Sequence, residues 1–337
     1  MANSYAILKE RYAKILNKYL QEKNEIGLYH AQQFSKKVLE DQISPEEMVS
    51  IHAETLTKLC PDLPAELTDS FDFLMEIMVA YGMAYREHQS LIDKQKEFES
   101  EMNVAASMQQ TLLPAEIPST ESLDIGVVNI PASKMSGDYY HFVKDEHGNL
   151  GVAIADIIGK GVPAALCMSM IKYAMDSLPE QRLQPVALLE SLNRVVEQNV
   201  ASDMFITMMY GSYDPREHCF YYSGAGHEPG FYYEAETDEF HELYAKGIVL
   251  GITREPLFKE YKKKVNVGDF IVLLTDGVTE CFTDDGFIER EEVVRLIRQY
   301  QHLPAQQIVE NVFYELEKAQ GFQLRDDFTL IILKREV

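Results

Sequence analysis

The sequence predicts an α+β chain: helices first, then a layered sheet-on-sheet core with further helices outside it. Three observations predict this. Residues 1 to about 84 carry apolar residues three and four apart, with little glycine. Between Gly82 and Pro114 there is neither Gly nor Pro. After Pro114 short apolar or alternating segments follow one another, with helical stretches inserted in pairs rather than singly between strands.

The elements follow in order. Ile7, Leu8, Tyr12, Ile15, Leu16 and Tyr19 form one helical stripe. Ser44-Pro45-Glu46-Glu47 is a helix start: Ser44 caps, Pro45 suits the first helical position, and Glu47 completes a capping box. Pro61 and Pro64 break the chain, and FDFLMEIMVAYGMAY is a rich apolar helix. About four helices in 1–84 make a small bundle with a thin core. A second copy or a partner would complete its apolar stripes, so a homodimer is expected. Residues 85–113 read as a linker helix. Leu91, Phe98, Ala105 and Leu112 fall seven apart, with Met102 and Met108 between them, while Lys94 and Glu101 fall near the other seam position. That pattern serves either one amphipathic linker or a dimeric coiled coil coupling two domains. Residues 114–337 form the third part. Strands are expected at 123–130, 138–144, 150–155, 205–213, 218–223, 261–267, 269–275 and 328–333. Helices are expected at 162–177, 185–200, 289–300 and 304–319.

Composition narrows the function. The chain has 337 residues, 46% of them apolar, as a folded protein requires. Its 31 basic and 54 acidic residues leave a net charge of −23. An acidic surface argues against nucleic acid and anionic membranes, and suits protein partners and cations. Cys60, Cys167, Cys219 and Cys281 are scattered, which points to a reducing cytoplasm rather than a disulfide framework or zinc site. The charged MANSYAILKERY start is not a signal peptide, and no run is long and apolar enough for a membrane helix.

The chemistry lies in carboxylates at strand ends. The run GVAIAD ends on Asp156; SGD puts Asp138 just ahead of YYHFV; FIVLLTDG ends in Asp276-Gly277; and RDDFT sets Asp326 and Asp327 before LIIL. Any one Asp-Gly is a turn signal. Together, on a shared sheet edge, the acids would converge and repel unless cations join them. Hard oxygen donors select Mg²⁺ or Mn²⁺, and two such ions roughly 4 Å apart can hold a hydroxide and clamp a phosphoryl group.

The ordered set SGDYY, ADIIGKG, GAGHEP, LLTDGVTE and RDDFTLIIL resembles the metal-dependent (PPM) serine/threonine protein phosphatases, in their bacterial SpoIIE-like branch. The resemblance covers about 115–337, and AASMQQTLLP looks like the linker ending common there. The N-terminal YGMAYREHQ resembles the stress-response members of Bacillus-type bacteria. The resemblance implies a two-sheet β-sandwich flanked by helix pairs and two Mn²⁺ or Mg²⁺ ions. Asp138 and Asp156 would be ligands, with Asp156 bridging, joined by the main-chain carbonyl of Ile157, where relatives often have Gly. Asp276 would be a later ligand, and Asp326 another in preference to its neighbour Asp327. A metal-bound water would attack phosphoserine or phosphothreonine with no side-chain nucleophile. His141 and His227 are read as structural. The phosphate-gripping arginine of eukaryotic relatives has no counterpart in 114–137, which holds Lys134 and no Arg. The resemblance also implies partners: a kinase that binds residues 1–84 and activates the enzyme, and a phosphorylated anti-anti-sigma factor as substrate, whose dephosphorylation frees the general stress sigma factor.

Three rivals stand beside this. A Walker loop at Gly159-Lys160 lacks its first glycine, since Ile154 is there, and its Ser or Thr, since Gly161 is there; Lys160 then faces solvent or the substrate side of the turn. A non-catalytic adaptor would carry a degenerate site. A phosphodiesterase would show histidine among its ligands.

Overall fold

A computed structural model describes residues 2–41, 43–159, 161–178, 184–200, 204–283 and 286–337. Lys160, with its expected orientation, lies outside them. The chain divides into two compact units, 1–98 and 99–337.

The first unit is helical: α1 (Ala2–Glu22), α2 (Glu25–Glu40), α3 (Pro45–Leu59) and most of α4 (Ala65–Gln110). Ser44 caps α3 with the expected box: its hydroxyl accepts from Glu47 N–H, and Glu47 accepts from Ser44 N–H at 2.9 Å. Leu8, Phe34, Val38 and Ile51 form the small core. The apolar helix expected before Gly82 and the helix expected over 85–113 lie in one element, α4, because a lone Gly82 costs a helix only about 1 kcal/mol and does not end it.

The second unit contains β1 (Leu123–Ile130), β2 (Asp138–Lys144), β3 (Leu150–Ile157), α5 (Val162–Ser177), α6 (Pro185–Asn199), β4 (Ile206–Asp214), β5 (Cys219–Ala225), β6 (Gly230–Glu234), β7 (Glu239–Leu243), β8 (Tyr261–Lys264), β9 (Phe270–Leu274), α7 (Asp276–Thr279), β10 (Phe282–Thr283), β11 (Gly286–Phe287), α8 (Arg290–Tyr300), α9 (Ala305–Ala319) and β12 (Phe328–Arg335). Two five-stranded antiparallel sheets form, β1-β12-β9-β6-β7 and β2-β3-β4-β5-β8.

Strand alternation builds the layers. In β12, Ile331 and Leu333 face the other sheet, while Phe328, Leu330 and Ile332 face α8 and α9. In β3, Leu150, Val152 and Ile154 face inward between the sheets, and Ala153, Ala155 and Ile157 pack under α5 and α6. Burying each such Leu, Ile or Val contributes about 1.5–3 kcal/mol. The expected α+β sandwich with outer helices is what forms. Strands β6 and β7 were not anticipated: β7 is an edge strand whose Glu239, His241 and Glu242 are exposed, so it carries no apolar signal.

Candidate metal centre

The turn between β2 and β3 sets the register of the site. Asp145 accepts hydrogen bonds from His147 N–H and Asn149 N–H and closes the hairpin. Lys144 then pairs with Leu150, and six residues along each strand Asp138 pairs with Asp156. By the same alternation both carboxylates belong to the inward face, at the open end of the sandwich. A one-residue slip would turn one of them outward. Asp156 in turn pairs with Thr207 of β4.

Gly137 shows how closely the two strands approach. A Cβ there would lie 3.0 Å from the Ile157 carbonyl oxygen, 3.2 Å from Asp156 Oδ1 and 3.4 Å from the Gly159 carbonyl oxygen. These oxygens cluster in a space that only a missing side chain leaves. Ile157 N–H donates to the Gly137 carbonyl at 3.1 Å and fixes the strand ends.

Asp138 is buried, and its Oδ2 accepts from two hydroxyls of the opposite sheet, Thr275 at 2.7 Å and Thr329 at 2.6 Å. Burial holds its carboxyl well above the usual carboxylate range; the hydroxyls oppose that shift, and nearby Asp156 and Asp327 add to it. Asp327, also buried, accepts from Ala132 N–H at 2.7 Å and Gly137 N–H at 2.6 Å. Asp326 is exposed. Asp276 opens the single turn α7, and its carboxyl is raised by burial first and by Asp326 second. Gly277 sits hard against the 326–327 backbone: a Cβ would be 2.0 Å from the Asp327 carbonyl oxygen. The acids thus fall into two neighbourhoods, Asp138 with Asp156 and Asp327, and Asp276 with Asp326. Among the described residues no three His, Cys, Asp or Glu side chains converge as one ion's cage.

The donor chemistry fits a hard cation. Carboxylate and carbonyl oxygens predominate, and Asp138 is buried beside further negative charge with, among the described residues, no cationic side chain bonded to it. A cleft of about 110 Å³ opens beside Asp138, lined also by Gln109, Asn129, Lys134, Ser136 and Met168.

Two family models match the chain: stage II sporulation protein E over residues 146–336, and the N-terminal domain of the phosphoserine phosphatase RsbU over 10–84. Over 331 residues the chain is 53% identical to phosphoserine phosphatase RsbU of Bacillus subtilis (strain 168), covering 98% of each. The chain belongs to the RsbU family of SpoIIE-type serine phosphatases. Two solved structures share the fold. The SiaA PP2C domain of Pseudomonas aeruginosa superposes with a TM-score of 0.62 at 20% identity, covering 72% of this chain and 98% of that one. A Bacillus subtilis SpoIIE fragment with the phosphatase domain does so at 0.52 and 18% identity, covering 65% and 64%.

In this RsbU-family chain the two histidines of the motifs differ in place. His141 lies on the opposite face of β2 from Asp138 and bonds Asp176 of α5 at 3.0 Å. His227 is buried, contacts the Thr207 hydroxyl at 2.9 Å, and is pulled down to about 4 by burial, so it is neutral at neutral pH. Neither hydrogen-bonds a predicted ligand. The hydroxyls of Thr275 and Thr329 and the amide of Gln109 were not anticipated. Their one sequence signal is parity: Thr275 and Thr329 continue the inward-facing rows of β9 and β12.

A carboxyl held above its unfolded value stabilises the fold below that unfolded value, and loses the contribution as pH rises through the folded value. At neutral pH without cations, burial of the Asp138 carboxyl therefore opposes folding, because the unfolded chain ionises it freely and the folded chain resists that ionisation. Asp138→Asn is expected to raise the melting temperature in chelator at pH 7 and to lose that advantage at pH 3, read by circular dichroism. A lower melting temperature at pH 7 would contradict the buried-charge account.

Proposed function

We propose that this RsbU-family chain hydrolyses phosphoserine on an RsbV-like anti-anti-sigma protein, and that an RsbT-like kinase docked on residues 1–84 activates it. The carrying observation is the pairing of Asp138 with Asp156 beside the Ile157 carbonyl at the mouth of the sandwich. Asp138, Asp156, the Ile157 carbonyl, Asp276 and Asp326 would hold two Mn²⁺ or Mg²⁺ ions, with Asp156 reaching both. Asp326 is preferred to Asp327 because the RDDFT motif of the family places the ligand on the first acid; the Asp327 carboxylate accepts from two backbone N–H groups and Asp326 Oδ1 from one. When bound, such ions supply hydroxide at neutral pH and neutralise charge on the phosphoryl oxygens.

The chain's own groups do the rest. The hydroxyls of Thr275 and Thr329 orient the Asp138 carboxylate. Lys134 lines the cleft beside Asp138, where its ammonium would meet an incoming phosphate. Residues 1–84 form the partner-binding and dimerisation domain, 85–113 the linker and 114–337 the phosphatase domain. The exposed Leu91, Phe98 and Met108 suit a seam with a second copy. Among the described residues no helix is long and apolar enough to cross a membrane, and the scattered free cysteines suit the cytoplasm.

The test is release of phosphate from phosphorylated anti-anti-sigma protein with Mn²⁺, with and without the kinase. Metal-dependent release that rises with the kinase is expected. Release indifferent to the kinase would leave the enzyme and remove the switch. No release under either condition would favour the non-catalytic adaptor.

A further inference from the structure

The last turn of α4 ends in an unusual contact. Among residues 99–110 Gln109 alone is buried, and it is polar. Its Nε2 donates to the Ser136 carbonyl at 2.7 Å, and its Oε1 accepts from Ser136 N–H at 2.9 Å. One amide thus satisfies both polar groups of one peptide residue, as a neighbouring strand would. Below this clamp the bonds run on into the acids. Asp138 N–H donates to Ser136 Oγ at 3.0 Å. Gly137 N–H donates to Asp327 Oδ2, and the Gly137 carbonyl accepts from Ile157 N–H.

We propose that Gln109 is a positioning residue for the metal centre: its amide sets the Ser136–Gly137 turn and, through it, the alignment of Asp138 with the Ile157 carbonyl. The inference rests on the reading of Asp138 as a metal ligand. Two features favour it over a simple tether. Apolar contact already anchors the chain just past the helix, where Leu112 and Leu113 pack into the core under α5 and α6. And the amide's two partners are the backbone atoms that precede Asp138 by two residues, so a change in either bond moves the carboxylate rather than a remote loop. Loss of a group that hydrogen-bonds a ligand commonly weakens metal binding about 10–100-fold; Gln109 acts one step further out, through Ser136, so the low end of that range is expected.

The experiment titrates the full chain with Mn²⁺, reading free Mn²⁺ by electron paramagnetic resonance, for the parent, Gln109→Leu, Ser136→Ala and Asp138→Asn. Gln109→Leu is expected to weaken Mn²⁺ binding about tenfold, with kcat recovering at saturating Mn²⁺, because the ligands themselves remain. Ser136→Ala, which removes only the hydroxyl that receives Asp138 N–H, is expected to shift affinity in the same direction. Unchanged affinity in a folded Gln109→Leu overturns the proposal. If that variant fails to fold, Gln109→Asn, whose shorter amide cannot reach both Ser136 backbone atoms, decides in its place, and parental affinity there overturns the proposal too. Asp138→Asn separates the two readings. Parental Mn²⁺ binding in Asp138→Asn would remove the metal reading itself, whereas its loss beside parental binding in Gln109→Leu would leave the metal centre and remove only the clamp.

Discussion

Asp156→Ala is expected to lower kcat/KM for the phosphoprotein by about a thousandfold or more, which is about 4 kcal/mol of transition-state stabilisation. The size follows from its place. Asp156 stands opposite Asp138 in the β2–β3 register, and its Oδ1 and the Ile157 carbonyl both lie within about 3.2 Å of one point beside Gly137. Removing it takes away the carboxylate expected to serve both ions. Stability should move little or upward in chelator, since truncation relieves the like charge that helps raise Asp138. The measurement is steady-state phosphate release across an Mn²⁺ titration. Activity in Asp156→Ala within tenfold of the parent at any Mn²⁺ concentration would exclude the assignment.

Gly277→Ala should be nearly as damaging, by another route. The missing Cβ would stand 2.0 Å from the Asp327 carbonyl oxygen, a backbone atom that cannot swing aside. Either α7 or the start of β12 must shift. Asp276 sits at the first position of α7 and Asp326 precedes β12, so any shift separates the two acids whose charges are coupled. Overpacking of this kind typically costs about 1–3 kcal/mol of stability. The expected result is a folded chain with a lower melting temperature and weakened Mn²⁺ binding. Gly277→Ala with parental melting and parental Mn²⁺ affinity would show that the contact relaxes elsewhere.

Much of this architecture was legible because it is written locally. Asp138 and Asp276 stand next to glycines, Asp156 lies three residues before Gly159, and all three sit at the ends of apolar runs, so strand and turn chemistry announce them together. The capping box at Ser44 and the paired helices α5 and α6 are likewise local patterns. What stayed hidden depends on strand neighbours. Thr275 and Thr329 reach Asp138 across 137 and 191 residues. They meet it only because β12 inserts between β1 and β9, and because that sheet packs over β2. No window of sequence contains that fact. Gln109 is hidden for a related reason: in a helical pattern a glutamine at the end of α4 reads as solvated, and its amide finds its partners only once Ser136, 27 residues on, meets it. The two acids of RDDFT illustrate the boundary. Sequence shows a pair, while burial and backbone bonding distinguish Asp327 from Asp326.

The bridge from Asp138 to Thr275 and Thr329 has a meaning apart from chemistry. The interior between the two sheets is lined by Leu, Ile, Val and aromatic side chains, and attraction among such groups has no preferred direction. Two oily faces of this kind can settle in several nearby alignments at similar free energy. A carboxylate that must meet two hydroxyls at 2.6–2.7 Å tolerates one alignment. The same side chain whose burial opposes folding thus acts as a locating pin, selecting one sandwich from many that grease alone would accept.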